Sequence, residues 1–253
     1  MTTGYFLVTH GSSDPAAAQQ LHDLVTLART LYPREIVSGG CLEGLAQSLT
    51  EQLLNFGQYV GTDAQIKVIP LFLLPGAHVC EDLPMAVQLA NQTSGFEWFE
   101  LNSYLGQHPD IVTKLAQKFA QFPSDRRILV SHGSKLPAAQ QMISSLATQL
   151  GAVPAYWSIE PKLASQLACP EPVTVLPYFL FPGKISRAIA AEVANYSHAQ
   201  ITDLPFTLRD LVDLSLLHPL QDRDSQQVQS QLQHPSSQIT ETETRALHGR
   251  TST

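Results

Sequence analysis

Cysteine is scarce: three in 253 residues, Cys41, Cys80 and Cys169, far apart and with no CxxC pair. That pattern excludes a disulfide framework and a zinc ribbon or iron–sulfur ligand run, and it suits the reducing cytoplasm. Basic residues are few as well. Lys and Arg number 15 against 22 Asp and Glu, giving a formal net charge of -7, with no cluster of the kind that grips phosphate. No nucleic-acid partner is expected, and anions would have to be met by local donors. No apolar run reaches the roughly 18 residues of a membrane span, so no membrane partner is expected. The opening MTTGYFLVTHGSSDP goes straight into a strand-like segment, without the basic start and long apolar stretch of a secretory signal.

What the chain does have is 43% hydrophobic residues and enough length for one large domain or two small ones. It also has a repeat. FLVTHGSSDPAAAQQ at 6–20 returns as ILVSHGSKLPAAQQM at 128–142, and VIPLFLLPGAH at 68–78 returns as VLPYFLFPGKI at 175–185. Between them CLEGLAQSL at 41–49 is echoed by SIEPKLASQL at 158–167. Three echoes in the same order indicate an internal duplication. Within a copy, short apolar strands alternate with helical stretches: GYFLVT, a helix from Asp14 to Leu31, EIVSGG, a helix from Leu45 to Phe56, then IKVIPLFLL. FEWFEL at 96–101 adds a fourth strand, and 109–122 a closing helix. This alternation predicts an α/β fold of two similar parallel-sheet, flavodoxin-like domains facing across a cleft. Their expected limits are 1–122 and 123–220. Residues 221–253, rich in Gln, Ser and Thr, lack a periodic apolar face and read as a mobile tail.

Open parallel sheets bind ligands beyond the carboxyl ends of their strands. His10 follows the first strand, Glu43 the second, and His78 the third after a turn at Pro75-Gly76, so all three converge on one rim. A histidine after one strand is ordinarily a hydrogen-bonded loop residue; it is the joint placement that argues for chemistry. Two neutral imidazoles and a carboxylate suit a borderline divalent ion such as ferrous iron, cobalt, nickel or zinc, whereas a hard ion wants more oxygen ligands. Glu43 is a candidate ligand or proton acceptor. Glu81 and Asp82 are assigned to the dipole of the following helix. GSSDP reads as a turn capped by Ser12 or Ser13, and the backbone N–H groups of Gly11, Ser12 and Ser13 can also meet a carboxylate. Cys41 and Cys80 read as small buried hydrophobes. His22, His108, His198, His218, His234 and His248 are assigned no chemistry. A histidine-centred phosphate loop is disfavoured, because no Arg or Lys accompanies His10 before Arg29.

LVTHGSSDP taken with PLFLLPGAHVCEDLP closely resembles the paired signature of the class II chelatases of the CbiX and SirB type, which insert a divalent metal into sirohydrochlorin, the precursor of sirohaem and cobalamin. The resemblance spans both halves and leaves out the Gln-rich tail. It implies two related α/β domains with the macrocycle bound between them, His10 and His78 handling the metal, and Glu43 as the acidic partner. No organic cofactor is implied; ferrous iron by preference, or cobalt, and sirohydrochlorin are both substrates. The second copy keeps His132 in SHGS and Glu160 in SIEPK but carries Ile185 where the first has His78. Metal insertion is therefore expected in the N-terminal half. The second half forms the opposing wall, with Lys184 and Arg187 placed to meet the acidic side chains of the tetrapyrrole. A monomer suffices, since two halves in one chain build a complete cleft. A non-catalytic tetrapyrrole or metal carrier is the rival reading.

Overall fold

Alternation of apolar side chains along the strands decides which helices cover which face. In β1 (Thr2–Thr9), Phe6 and Val8 point one way and Leu7 the other, as the two-residue period of a strand requires. The structure, a computed structural model, describes residues 2–11 and 15–216. Ser12 and Ser13, the expected tail at 221–253, and His218, His234 and His248 lie outside the described residues.

The chain runs β1, α1 (Pro15–Leu31), β2 (Ile36–Cys41), α2 (Leu49–Val60), β3 (Ala64–Pro70), a π turn (His78–Asp82), α3 (Leu83–Ser94), β4 (Phe99–Leu101) and α4 (Asp110–Ala120). It then repeats as β5 (Arg126–Ser131), α5 (Pro137–Gln149), β6 (Val153–Tyr156), α6 (Leu163–Leu167), β7 (Val173–Pro177), α7 (Lys184–Val193), β8 (Ala199–Ile201) and α8 (Leu208–Leu216). Two four-stranded sheets result, β2-β1-β3-β4 and β6-β5-β7-β8, with every pairing parallel. The shared order 2-1-3-4 is that of a doubly wound, flavodoxin-like sheet, so the duplicated α/β architecture is as expected.

Each sheet has a private face and a shared one. Phe6 and Val8 pack with Leu53, Phe56, Leu83 and Val87 of α2 and α3 and their flanks. In the second sheet Ile128 and Val130 pack with Leu163, Leu167, Ile189 and Val193 of α6 and α7. Leu7 and Leu129, from the opposite faces, belong to one cluster that also takes in Leu24 of α1, Leu115 and Phe119 of α4, Ile143 of α5 and Val212 of α8. Each such fully buried side chain is worth about 1.5–3 kcal/mol relative to exposure, so the shared layer joins the halves strongly. Among the described residues no helix is long and apolar enough to cross a membrane.

Local chemistry moves some boundaries. α2 starts at Leu49 rather than Leu45 because Ser48 closes a capping box: its hydroxyl accepts the Glu51 N–H at 3.3 Å, and the Glu51 carboxylate accepts the Ser48 N–H at 2.7 Å. The third strand ends at Pro70 instead of running on to Leu74, since its partner β1 ends at Thr9.

The last helix is fastened to the first half by polar contacts. Lys114 of α4 pairs with Asp210 of α8, and the Tyr32 hydroxyl donates to Asp213 at 3.0 Å. Burial alone would raise the Asp210 pKa, but the Lys114 ammonium and the Thr207 N–H and hydroxyl outweigh it and hold the carboxyl below its usual range. A depressed folded pKa means that the unfolded chain binds the proton more readily. The stabilisation is therefore complete above about pH 4 and lost as pH falls through the lower folded value. Urea unfolding at pH 6 and near pH 3 checks this: Asp210→Asn should be less stable than the parent at pH 6, with the gap closing in acid. A gap of constant size would contradict it.

Candidate functional site

β1 is the centre of its sheet, and the two strands beside it hand their chains onward from its carboxyl end. Thr9 is level with Cys41 of β2, and past that point Leu42 N–H donates to Thr9 O at 3.1 Å and Glu43 N–H to His10 O at 2.9 Å. On the other flank Leu71 N–H donates to Val8 O at 2.7 Å. The chain therefore leaves β2 and β3 in register with β1, at the switch point of the sheet.

Residues 71–77 then double back to His78. Val79 and Cys80 N–H groups donate to Gly76 O at 3.0 and 2.9 Å and open the π turn. This loop is backed from two sides. Gly106 N–H donates to Phe72 O at 2.8 Å, and a Cβ on Gly106 would lie 2.1 Å from Leu73 O. The Tyr178 hydroxyl, from the second half, reaches Leu73 O at 3.5 Å, and burial pushes its phenol pKa up, keeping it a donor.

The result is that His10, Glu43 and His78 each offer a ligand atom within 4.8 Å of the others'. His10 Nδ1 lies 4.0 Å from Glu43 Oε2, and the two imidazole centroids are 4.4 Å apart at 88°. Donors about 2.1 Å from one ion are at most about 4.2 Å from each other, so modest side-chain rotation closes this set. The side chains are free to rotate, being 50% exposed for His10 and 61% for Glu43.

Each imidazole has its Nδ1 against an oxygen: His10 at 3.1 Å from Gly11 O, His78 at 2.7 Å from an Asp82 carboxylate oxygen. With the proton on Nδ1, both rings keep a lone pair on Nε2. The helix dipole does not account for Asp82: its carboxylate holds His78, and the four-residue spacing in HVCED is the signal for that contact. Gly11 sits at φ 90°, where a Cβ would meet Glu43 O at 1.9 Å, so the turn after His10 requires glycine.

The second half repeats the backbone but not the ligands. Ser158 N–H donates to His132 O at 2.9 Å and Tyr178 N–H to Val130 O at 2.7 Å, mirroring Glu43 on His10 and Leu71 on Val8. Ser158, not Glu160, therefore stands where Glu43 does. The echo between CLEGL and SIEPK misplaces the register by two residues, because both are short and their apolar positions align either way. Glu160 instead accepts the Lys162 N–H at 3.0 Å. Ile185, in the place of His78, packs against the second sheet's private core.

Other expectations change as well. Cys80 is exposed, not buried, and Cys41 is half-buried, with desolvation raising its thiol pKa. A cavity of about 500 Å³ opens at His10, Gly11 and Glu43 and runs along Gly39 and Gly40 of β2, under α1, to Arg29. Leu180 and Phe181 line it from the second half. Lys184 and Arg187 are exposed on α7 and are not among its described lining residues.

Comparison with known proteins adds the lineage. The curated sirohydrochlorin cobaltochelatase of Methanococcoides burtonii is 26% identical over 92 residues, 36% of this chain and 68% of that protein. Two solved structures share the fold. SirB from Bacillus subtilis with Fe3+ has a TM-score of 0.71 at 18% identity, covering 89% of this chain and 98% of its own. Sirohydrochlorin chelatase SirB from Bacillus subtilis subspecies spizizenii in complex with cobalt has a TM-score of 0.70 at 18% identity, covering 88% and 95%. The CbiX family model matches residues 4–122 and 126–212, taking in both copies of the repeat, and the chain belongs to the CbiX family.

Proposed function

We propose that the chain is a sirohydrochlorin chelatase, a lyase-class enzyme that inserts ferrous iron or cobalt into the macrocycle, with both as substrates and no organic cofactor. The observation that carries this reading is the convergence of His10, Glu43 and His78 on one exposed rim beside a largely apolar cavity. A curated relative named as a sirohydrochlorin cobaltochelatase, and SirB structures with Fe3+ and with cobalt, support it. All three side chains come from one chain, so a monomer suffices. The three free cysteines agree with a cytoplasmic setting.

Insertion requires the ion to shed water, two pyrrole N–H protons to leave, and the ring to pucker so that a lone pair faces the metal. His10 and His78 replace part of the ion's water through Nε2 and hold it at the rim. Asp82 fixes the His78 ring. Glu43 takes up the two pyrrole protons in turn and passes each to solvent, to which its carboxylate is open. Imidazole and carboxylate together accept ferrous iron and cobalt alike, so supply of the ion in the cell contributes to the choice.

An anaerobic absorbance assay with sirohydrochlorin and either metal tests the reaction. His10→Ala should reduce metallation to the spontaneous rate, while His132→Ala, in the half without Glu43 and His78 equivalents, should keep the parent rate. Normal macrocycle binding without accelerated metallation by the parent protein would make it a carrier instead.

Cobalt titration of the protein alone reads the role of Asp82. Asp82→Ala should weaken cobalt about tenfold, and Asp82→Asn, which still accepts a hydrogen bond from Nδ1, should weaken it less. Equal effects of the two changes would remove Asp82 from the site. Gly11→Ala should cost more than about 1 kcal/mol in urea unfolding and lose cobalt affinity, because an L-residue is strained at that φ and clashes with Glu43. Gly76→Ala, with open space around it, is the control that should do neither.

A further inference from the structure

The chain has one Lys or Arg among the described residues lining the cavity at His10, and it is not one the repeat points to. That residue is Arg29, in the last turn of α1. Its Nε donates to Val37 O of β2 at 2.8 Å, which pins the guanidinium against the sheet. The two terminal nitrogens have no carboxylate partner among the described residues, and the side chain is exposed. The head is thus oriented by one nitrogen while the other two stay available, in the fork that matches a carboxylate.

Its position fits a ligand anchored at the metal rim. Val37 and Cys41 are the ends of a four-residue step along β2, about 13 Å at a parallel strand's rise. A macrocycle centred near His10 can cover that step with its ring and one carboxyl-bearing side chain. The strand beneath is an edge strand; Leu21 and Val25 fill the space at Gly39, and Phe6 and Gln52 the space at Gly40, so a flat body meets β2 along its unpaired edge. A second hollow, of about 430 Å³, lies on the α2 side and shares Arg29, Ser38, Gly39 and Leu45 with the first. Arg29 therefore stands where the two hollows meet over this edge.

We infer that Arg29 is the carboxylate-recognising residue of the site, binding a rim carboxylate of the macrocycle while the ring lies along the unpaired edge of β2 with its centre at His10 and Glu43. This rests on the chelatase reading and adds an anion contact to those expected of Lys184 and Arg187. A charge-assisted, two-nitrogen contact of this kind is worth about tenfold or more in affinity.

The test separates binding of the ring from binding of the metal. Metal-free sirohydrochlorin is titrated by fluorescence into the parent protein, Arg29→Met and Arg29→Lys, and the fully amidated macrocycle is titrated into each. Cobalt is titrated separately without macrocycle. The expected result is about a tenfold loss of sirohydrochlorin affinity in Arg29→Met and a smaller loss in Arg29→Lys, with cobalt affinity unchanged in both. The parent's preference for the free acid over the amide should shrink by the same factor in Arg29→Met. Unchanged sirohydrochlorin affinity in Arg29→Met would overturn the inference and leave the chelatase reading standing. So would a loss that falls equally on the acid and its amide, which marks a purely structural role. A parent protein that binds neither form of the macrocycle would sink the chelatase reading and this inference with it.

Discussion

The site depends on β1 having two parallel partners whose chains stay in register with it past the end of the strand. The Glu43 N–H on His10 O and the Leu71 N–H on Val8 O are ordinary hydrogen bonds, each worth about 1 kcal/mol net. Their importance is geometric. They tie the exits of β2 and β3 to the exit of β1, so three side chains spread from residue 10 to residue 78 of the chain emerge within reach of one ion. The surrounding parts serve that arrangement. Gly11 allows the turn, Gly106 and Tyr178 back the loop that returns to His78, and Asp82 holds the ring at the end of it.

The second half shows the same scaffold with that chemistry removed. Its hydrogen bonds at His132 and Val130 repeat those at His10 and Val8, and Gly133 repeats the positive φ of Gly11. Yet serine and isoleucine occupy the places of Glu43 and His78. A fold does not carry a function by itself; the side chains grafted on the strand ends do. The second half instead provides mass and walls: the shared core through Leu129 and Val212, the support of Tyr178, and Leu180 and Phe181 along the cavity.

Much of this is legible in the amino-acid sequence. The short apolar runs FLVT and ILVS alternating with helical stretches, and the ordered echoes, are sufficient for the parallel α/β duplication, because strands buried on both faces carry apolar residues throughout. His10, Glu43 and His78 were legible because strand ends in such sheets share an edge. Asp82 was not, since a carboxylate in a first helical turn has a general electrostatic explanation that hides a specific hydrogen bond. Glu160 was misread because an echo of a few apolar residues cannot settle a two-residue slip, whereas the Ser158 hydrogen bond to His132 does.

The sequence by itself therefore determined the fold class, the repeat and the three residues of the rim, for these follow from local periodicity and from which residue succeeds each strand. Only the tertiary structure decided which cation faces the cavity, which carboxylate supports which imidazole, and which residue of the second copy replaces Glu43. Those are questions of distance between side chains on different elements. Hydrophobic pattern specifies that elements pack, but the atoms that meet depend on register and on the direction each helix takes across the sheet.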